Sequence, residues 1–150
     1  MNLIEAQNLA VRLMSKHNLT HWSFGFNQRK RAVGICRHGC YKIELSIPFT
    51  KALEVDQVTD TILHEIAHAL VGVRHGHDHV WQRKALEIGC NGERTANLNV
   101  SNEINYKYKA TCPCCGKVIG ISRRPKRDGW CRCTNRNFKE EWKLQFVQQY

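Results

Sequence analysis

Apolar positions along the chain change their period several times, and each change marks an element. From Asn2 to His17, Ala6, Leu9, Leu13 and Met14 recur at helical spacing, which predicts an amphipathic helix. Asn18 suits a left-handed stop after it. In "HWSFGF" the period drops to two, with Trp22, Phe24 and Phe26 forming the aromatic face of a predicted strand. After the polar turn "NQRKR", the segments "AVGIC" and "YKIELS" flank "RHG" and predict a hairpin. Tyr41, Ile43 and Leu45 share one face of its second strand, which Pro48 ends. Helical spacing then returns. Asp56 suits an N-cap, Val58, Ile62, Ile66 and Leu70 face inward, and Gly72 closes the helix. Asp78 opens another helix, with Trp81, Ala85 and Ile88 inward and an end near Gly89. The stretch "NGERTANLNVSNEIN" is polar and turn-rich and reads as a linker.

Composition sets the class. With 150 residues, 42% of them apolar and 24% charged, the chain is that of a soluble globular protein with one domain, or a domain and an appendage. It has no apolar run of transmembrane length. Its first residues lack the basic start, apolar middle and cleavage site of a secretory signal. The expected location is the cytoplasm, or the nucleoid if the chain binds DNA, with no membrane partner. Charge is uneven: residues 1–106 carry a net +2 and residues 107–150 a net +8. So basic a C-terminal part favours a polyanionic partner, nucleic acid before an anionic membrane, over a merely solvated basic face.

Candidate chemistry concentrates in two places. The first is "HEIAHALVGVRHGHDHVW", His64 to Trp81, which holds five of the eight histidines. His64-Glu65-Ile66-Ala67-His68 matches H-E-x-x-H. On a helix, residues four apart lie about 40° apart in projection and about 6 Å apart along the axis, so both imidazoles can reach one ion. Glu65, about 100° round, can bond a water at that ion without ligating it. A zinc ion in a catalytic site takes three protein ligands. His75, His77 and His79 are the candidates for the third.

Gly76-His77-Asp78-His79-Val80-Trp81 fits G-H-x-x-x-[FW], and together with H-E-x-x-H it resembles the SprT-like zinc metallopeptidases. "GICRHGCYKIELS" is similar to the hairpin ahead of that family's active-site helix, "DTILHEIAHAL" to the helix itself, and "LEIGC" to the end of the next. The resemblance covers about residues 30–92 and the cysteine module; the N-terminal helix fits in type but not by motif. It implies an α+β, zincin-like domain: an N-terminal helix, a small antiparallel sheet, the H-E-x-x-H helix and a following helix. It selects His77 as the third ligand, and the position of His77 just before the N-cap Asp78 agrees with that choice. His75 and His79 are then supporting or exposed residues. It further implies peptide hydrolysis, with Glu65 as general base, on proteins bound to DNA, DNA–protein crosslinks included. The oxyanion-stabilising group is open among Tyr41, His75 and His79.

The second place is the C-terminal module, expected over residues 107–150 beside a peptidase domain at 1–106. Five of the eight cysteines lie between Cys112 and Cys133. In a reducing compartment such spacing reads as metal ligation rather than disulfides. Cys112 and Cys115 form C-x-x-C followed by Gly116, and Cys131 and Cys133 form the return pair. A four-thiolate structural zinc in a ribbon is the expectation, with Cys114 able to replace one ligand. The return pair is C-x-C, one residue shorter than in relatives of the family. Cys36, Cys40 and Cys90 read as small buried or hairpin residues. Between the pairs, Arg123, Arg124, Lys126 and Arg127 form a basic tip with Trp130 beside it, suited to DNA, single strands in particular. Phe138 and Trp142 follow, with packing favoured for Trp142. The chain is expected to be a monomer with two zinc ions, one catalytic and one structural. Two other readings stand beside this one: a non-catalytic zinc-containing DNA-binding protein, and a metallopeptidase with no nucleic-acid role. The intact Glu65 argues against the first, and the charge split against the second.

Overall fold

A computed structural model describes residues 1–95, 103–127, 129–134 and 138–150. The chain divides into two compact units, Met1–Asn97 and Leu98–Tyr150. The division falls inside the polar stretch read as a linker. Part of that stretch, 96–102, lies outside the described residues. Tyr106 belongs with the second unit because its ring lies over Gly120, leaving no room there for a side chain.

The first unit opens with α1 (Leu3–Lys16), started by a reciprocal capping box between Asn2 and Glu5. Ala6, Ala10 and Met14 are its buried residues, and Asn18 takes the left-handed conformation just beyond it, φ 60°. Three strands follow: β1 (Ser23–Asn27), β2 (Gly34–Arg37) and β3 (Lys42–Ser46), in spatial order β1-β3-β2. The β2–β3 hairpin is antiparallel, as its sequence predicts. β1 instead pairs with β3 in parallel, Phe24 opposite Ile43 and Phe26 opposite Leu45, so the sheet is mixed rather than antiparallel. β3 takes the central place, leaving β1 and β2 as the two edges. That place also buries Glu44 and Ser46, which the alternating pattern gave to a solvated face. Glu44 accepts from Arg37 Nε at 2.8 Å and Lys42 Nζ at 3.1 Å. Tyr41 is not in the strand. It follows a 3-10 turn, His38–Cys40, with φ 48°, and is 57% exposed.

Pro48 ends β3 by beginning a helix, α2 (Ile47–Ala52), that the apolar pattern did not suggest. Proline's fixed φ suits a first helical turn, and Ser46 caps it. α3 (Val55–Val71) starts earlier than predicted because Glu54, not Asp56, is its N-cap, paired with Gln57. Val58, Ile62 and Ile66 are buried, whereas Leu70 has turned out to solvent near the helix end. Gly72 closes the helix at φ 85°. α4 (His79–Glu87) is capped by Asp78, which accepts from the N–H groups of Val80 and Trp81. Leu63 and Ala67 of α3 meet Trp81 and Ala85 of α4, with Cys90 and Leu13 completing the cluster.

The second unit holds β4 (Tyr108–Thr111), β5 (Val118–Ile121) and β6 (Val147–Gln148), antiparallel in the order β5-β4-β6. Its buried cluster is small: Ala110, Cys112, Cys131 and Leu144, flanked by Ile119 and Phe146. Among the described residues no helix is long and apolar enough to cross a membrane.

Glu44 links this fold to pH. The Arg37 hydrogen bond above all, with Lys42 adding to it against the opposing effect of burial, holds its carboxyl below the ordinary carboxylate value. The folded state therefore binds this proton more weakly than the unfolded chain. The stabilisation is complete above the unfolded value near ~4.3 and is lost as pH falls through the lowered one. Glu44→Gln should lower Tm at neutral pH by on the order of 5 °C and flatten the fall of Tm between about pH 5 and pH 3. Thermal unfolding of both proteins across that range checks it.

Candidate active site

Helix α3 sets the first site. His64 and His68 are one turn apart, and the glycine-ended loop after α3 brings His77 back over them. His64 Nε2 lies 2.9 Å from His77 Nε2, and His68 Nε2 lies 3.1 Å from it. The three nitrogens form one group of potential ligands. Zinc–nitrogen distances of ~2.0–2.1 Å in a tetrahedral set imply about 3.3 Å between ligand nitrogens, close to what is seen. Burial first, then the neighbouring imidazoles, drives the His64 and His68 rings down to about 4, and burial first lowers His77 as well. The donors are thus neutral at pH 7, the state a metal requires. His68 also bonds the backbone carbonyl of His75, which fixes its ring. The indole of Trp81, fully buried, lies against all three rings, with centroids at 4.6 Å from His64, 5.2 Å from His68 and 4.6 Å from His77.

Of the other histidines in the stretch, His75 Nδ1 is 2.9 Å from Asp78 Oδ2, so its ring is tied to the cap of α4. His79 is the exposed first residue of α4. Neither joins the group of three ligands.

Glu65 points elsewhere on α3. It is only 6% exposed. Burial pushes its carboxyl up to about 8, with the backbone N–H of Cys36 in β2 opposing the shift. A divalent cation at the adjacent imidazoles would oppose it too. The Cys36 thiol is pushed up to about 12 by burial and by Glu65, so it stays protonated and is no ligand. Its Sγ lies 3.7 Å from His38 Nε2. Cys40 is exposed, and Cys90 is buried with its thiol raised to about 11, chiefly by that burial.

In the second unit, Cys112, Cys115, Cys131 and Cys133 bring their sulfurs together, and exposed Cys114 is outside the set. Cys112 and Cys133 are 3.5 Å apart, and Cys115 and Cys131 3.8 Å. Disulfide sulfurs would be ~2.0 Å apart. Four thiolates at ~2.3 Å from zinc imply about 3.8 Å between sulfurs. The shorter C-x-C return pair reaches the site because residues 132–134 form a 3-10 turn, in which Thr134 bonds back to the Cys131 carbonyl. On the other side, Gly116 at φ 71° makes the knuckle turn, with its N–H on the Cys112 carbonyl. Burial acts to raise the Cys112 thiol, but the backbone N–H groups of Cys115 and Cys114 outweigh it and bring it down to about 7. Both donor sets fit zinc.

Arg123, Arg124, Lys126 and Arg127 are exposed and form no ion pair among the described residues. Trp130 is half-buried. Its indole N–H donates to the Lys139 carbonyl at 2.8 Å, and it bridges to Lys143. Phe138, 61% exposed, has its ring 5.2 Å from Trp130. The sequence missed Leu144 and Phe146, which pack the ribbon, since neither stands in a periodic run.

A small α+β unit with an H-E-x-x-H helix, a third histidine from the following loop and a separate four-cysteine unit defines the class. The SprT-like family is matched over residues 5–104, and the chain belongs to it. The match begins ahead of the motifs and takes in α1. No curated protein matches the chain. Among solved structures, it is similar to the metallopeptidase zymogen abylysin of Pyrococcus abyssi, with 19% identity and a TM-score of 0.49 over 59% of this chain and 83% of that one.

Proposed function

We propose that the chain is a zinc-dependent metalloendopeptidase of SprT-like type that acts on DNA-associated proteins. The observation that carries this reading is the convergence of three neutral imidazoles, His64, His68 and His77, beside a buried carboxylate, Glu65, on the same helix. In this reading those imidazoles hold zinc, and Cys112, Cys115, Cys131 and Cys133 hold a second, structural ion. Zinc in a three-histidine site contributes Lewis acidity, polarising a carbonyl and lowering the pKa of water toward neutrality. Glu65 accepts the proton of the attacking water and returns it to the leaving amine.

The sheet edge supports an extended peptide as substrate. The Ser46 N–H donates to the Val33 carbonyl at 2.8 Å, and this pair continues the β2–β3 register. Residues 33, 35 and 37 therefore turn their backbone groups to β3, while Gly34 and Cys36 turn theirs outward, on the side of Glu65. Backbone groups on a strand edge can hold an extended chain with little regard to its sequence. The partner is DNA, single-stranded in preference, held through Arg123, Arg124, Lys126 and Arg127 with Trp130 contributing a ring. Support comes from the net +8 of residues 107–150 and the exposure of those four side chains. The peptidase function is assigned to the first unit and DNA delivery to the second, which carries the basic residues of 107–150, in a cytoplasmic, DNA-associated monomer.

Metal analysis should find two zinc ions per chain. His77→Ala should remove one and the pair Cys112→Ser with Cys115→Ser the other. If His77→Ala keeps both ions, the ligand assignment is wrong.

Glu65→Gln should retain both ions and the parental Tm while lowering peptide hydrolysis by at least about 10²-fold, because an amide cannot accept the proton. A near-parental rate removes Glu65 from its role. Zinc retention with no hydrolysis in the parent protein favours the non-catalytic reading.

Binding to single-stranded DNA should weaken with salt by a log–log slope of about −0.7 per phosphate contact. Replacing Arg123, Arg124, Lys126 and Arg127 with Ala should flatten that slope without changing zinc content. Unchanged binding and DNA-stimulated cleavage reduce this tip to a solvated surface.

A further inference from the structure

Glu65 is confined on the β2 side. A methyl group on Gly34 would lie 2.7 Å from Glu65 Oε1, 2.8 Å from its Cγ and 3.0 Å from its Cδ. Separations that short are repulsive, so any side chain at position 34 must displace the carboxylate or the strand. Gly34 is not among the glycines with positive φ, so its backbone is open to other residues and the demand for glycine is one of space. Glycine within a strand weakens it, which makes its presence in β2 a cost that something else must offset. Gly34 and Cys36 are the β2 residues whose backbone faces away from β3.

We propose that Gly34 is a positioning residue for the Glu65 carboxylate: its missing side chain opens the recess that this group occupies against β2. This rests on Glu65 being the proton acceptor. The step is one of placement. In a reaction that depends on proton transfer, a shift of about 1 Å in the acceptor can cost on the order of 10²-fold in rate.

The test uses the full chain loaded with zinc and a peptide substrate, with kcat, KM, zinc content and Tm measured together. Gly34→Ala should lower kcat by about 10- to 100-fold while KM and zinc content stay within about twofold of the parent. Gly25→Ala, in β1 of the same sheet, is the control. Its added methyl would meet only the mobile end of Lys42, at 2.9 Å from Cε and 3.2 Å from Nζ, and kcat should stay parental. Gly34→Ala combined with Glu65→Gln should match Glu65→Gln alone, because Gly34 acts only through the carboxylate; a general structural role would lower the rate further. If Gly34→Ala loses zinc or stability, adding Glu65→Ala, which removes all three crowded atoms, should restore zinc content and Tm. A parental kcat in Gly34→Ala, a further loss in the Glu65→Gln background, or failure of Glu65→Ala to restore a damaged protein each overturns the proposal. Failure of the underlying reading shows separately, as full activity of Glu65→Gln with glycine still at position 34.

Discussion

The contact between the Glu65 carboxylate and the edge of β2 constrains everything around it. A carboxylate taken out of water is costly unless its lone pairs are met, and the outward-facing backbone of β2 is the polar group that acts on it. A slip of one residue against β3 would turn the Cys36 N–H into the ladder. A side chain at position 34 would crowd the same carboxylate, so α3 and β2 approach closely only with glycine there. With α3 held so, the 100° step between successive residues carries His64 to a different face from Glu65, and four residues return His68 beside it. The helix therefore serves three neighbours at once: the core through Val58, Ile62 and Ile66, the sheet edge through Glu65, and the loop of His77 through its two imidazoles.

Much of this was legible in the chain, for identifiable reasons. The α3 and α4 faces follow a helical period, and Asp78 and Gly72 are strong end signals, so His64 and His68 could be brought together on paper, while the third ligand stayed open among His75, His77 and His79 until the family resemblance selected His77. The spacing of the cysteines did the same for the ribbon. Other features carried no such signal. β3 reads as a half-solvated strand because Glu44 and Ser46 are polar. It is central instead, with Arg37 and Lys42 pairing with Glu44 and Ser46 capping α2, and those pairings depend on the hairpin register rather than on any local pattern. The parallel pairing of β1 with β3 is likewise a matter of tertiary arrangement that the alternation does not encode. Tyr41 continues the apolar alternation yet adopts φ 48°, because the short turn before it must reverse the chain within three residues. Gly34 could not be singled out at all. Its importance lies in the approach of a side chain 31 residues away, which no spacing rule encodes.

The two donor sets differ in what they do for the protein. The first unit has an extensive core of its own, running from Ala6 to Trp81, and its three imidazoles sit at the margin of that core on Trp81. A set of three ligands leaves a tetrahedral ion one position open, which is the arrangement chemistry needs. Among the described residues, the cluster that buries Cys112 and Cys131 in the second unit holds otherwise only Ala110 and Leu144. A cluster that small does not hold a chain of this length together unaided, and a four-thiolate site closes every coordination position while contributing folding free energy directly.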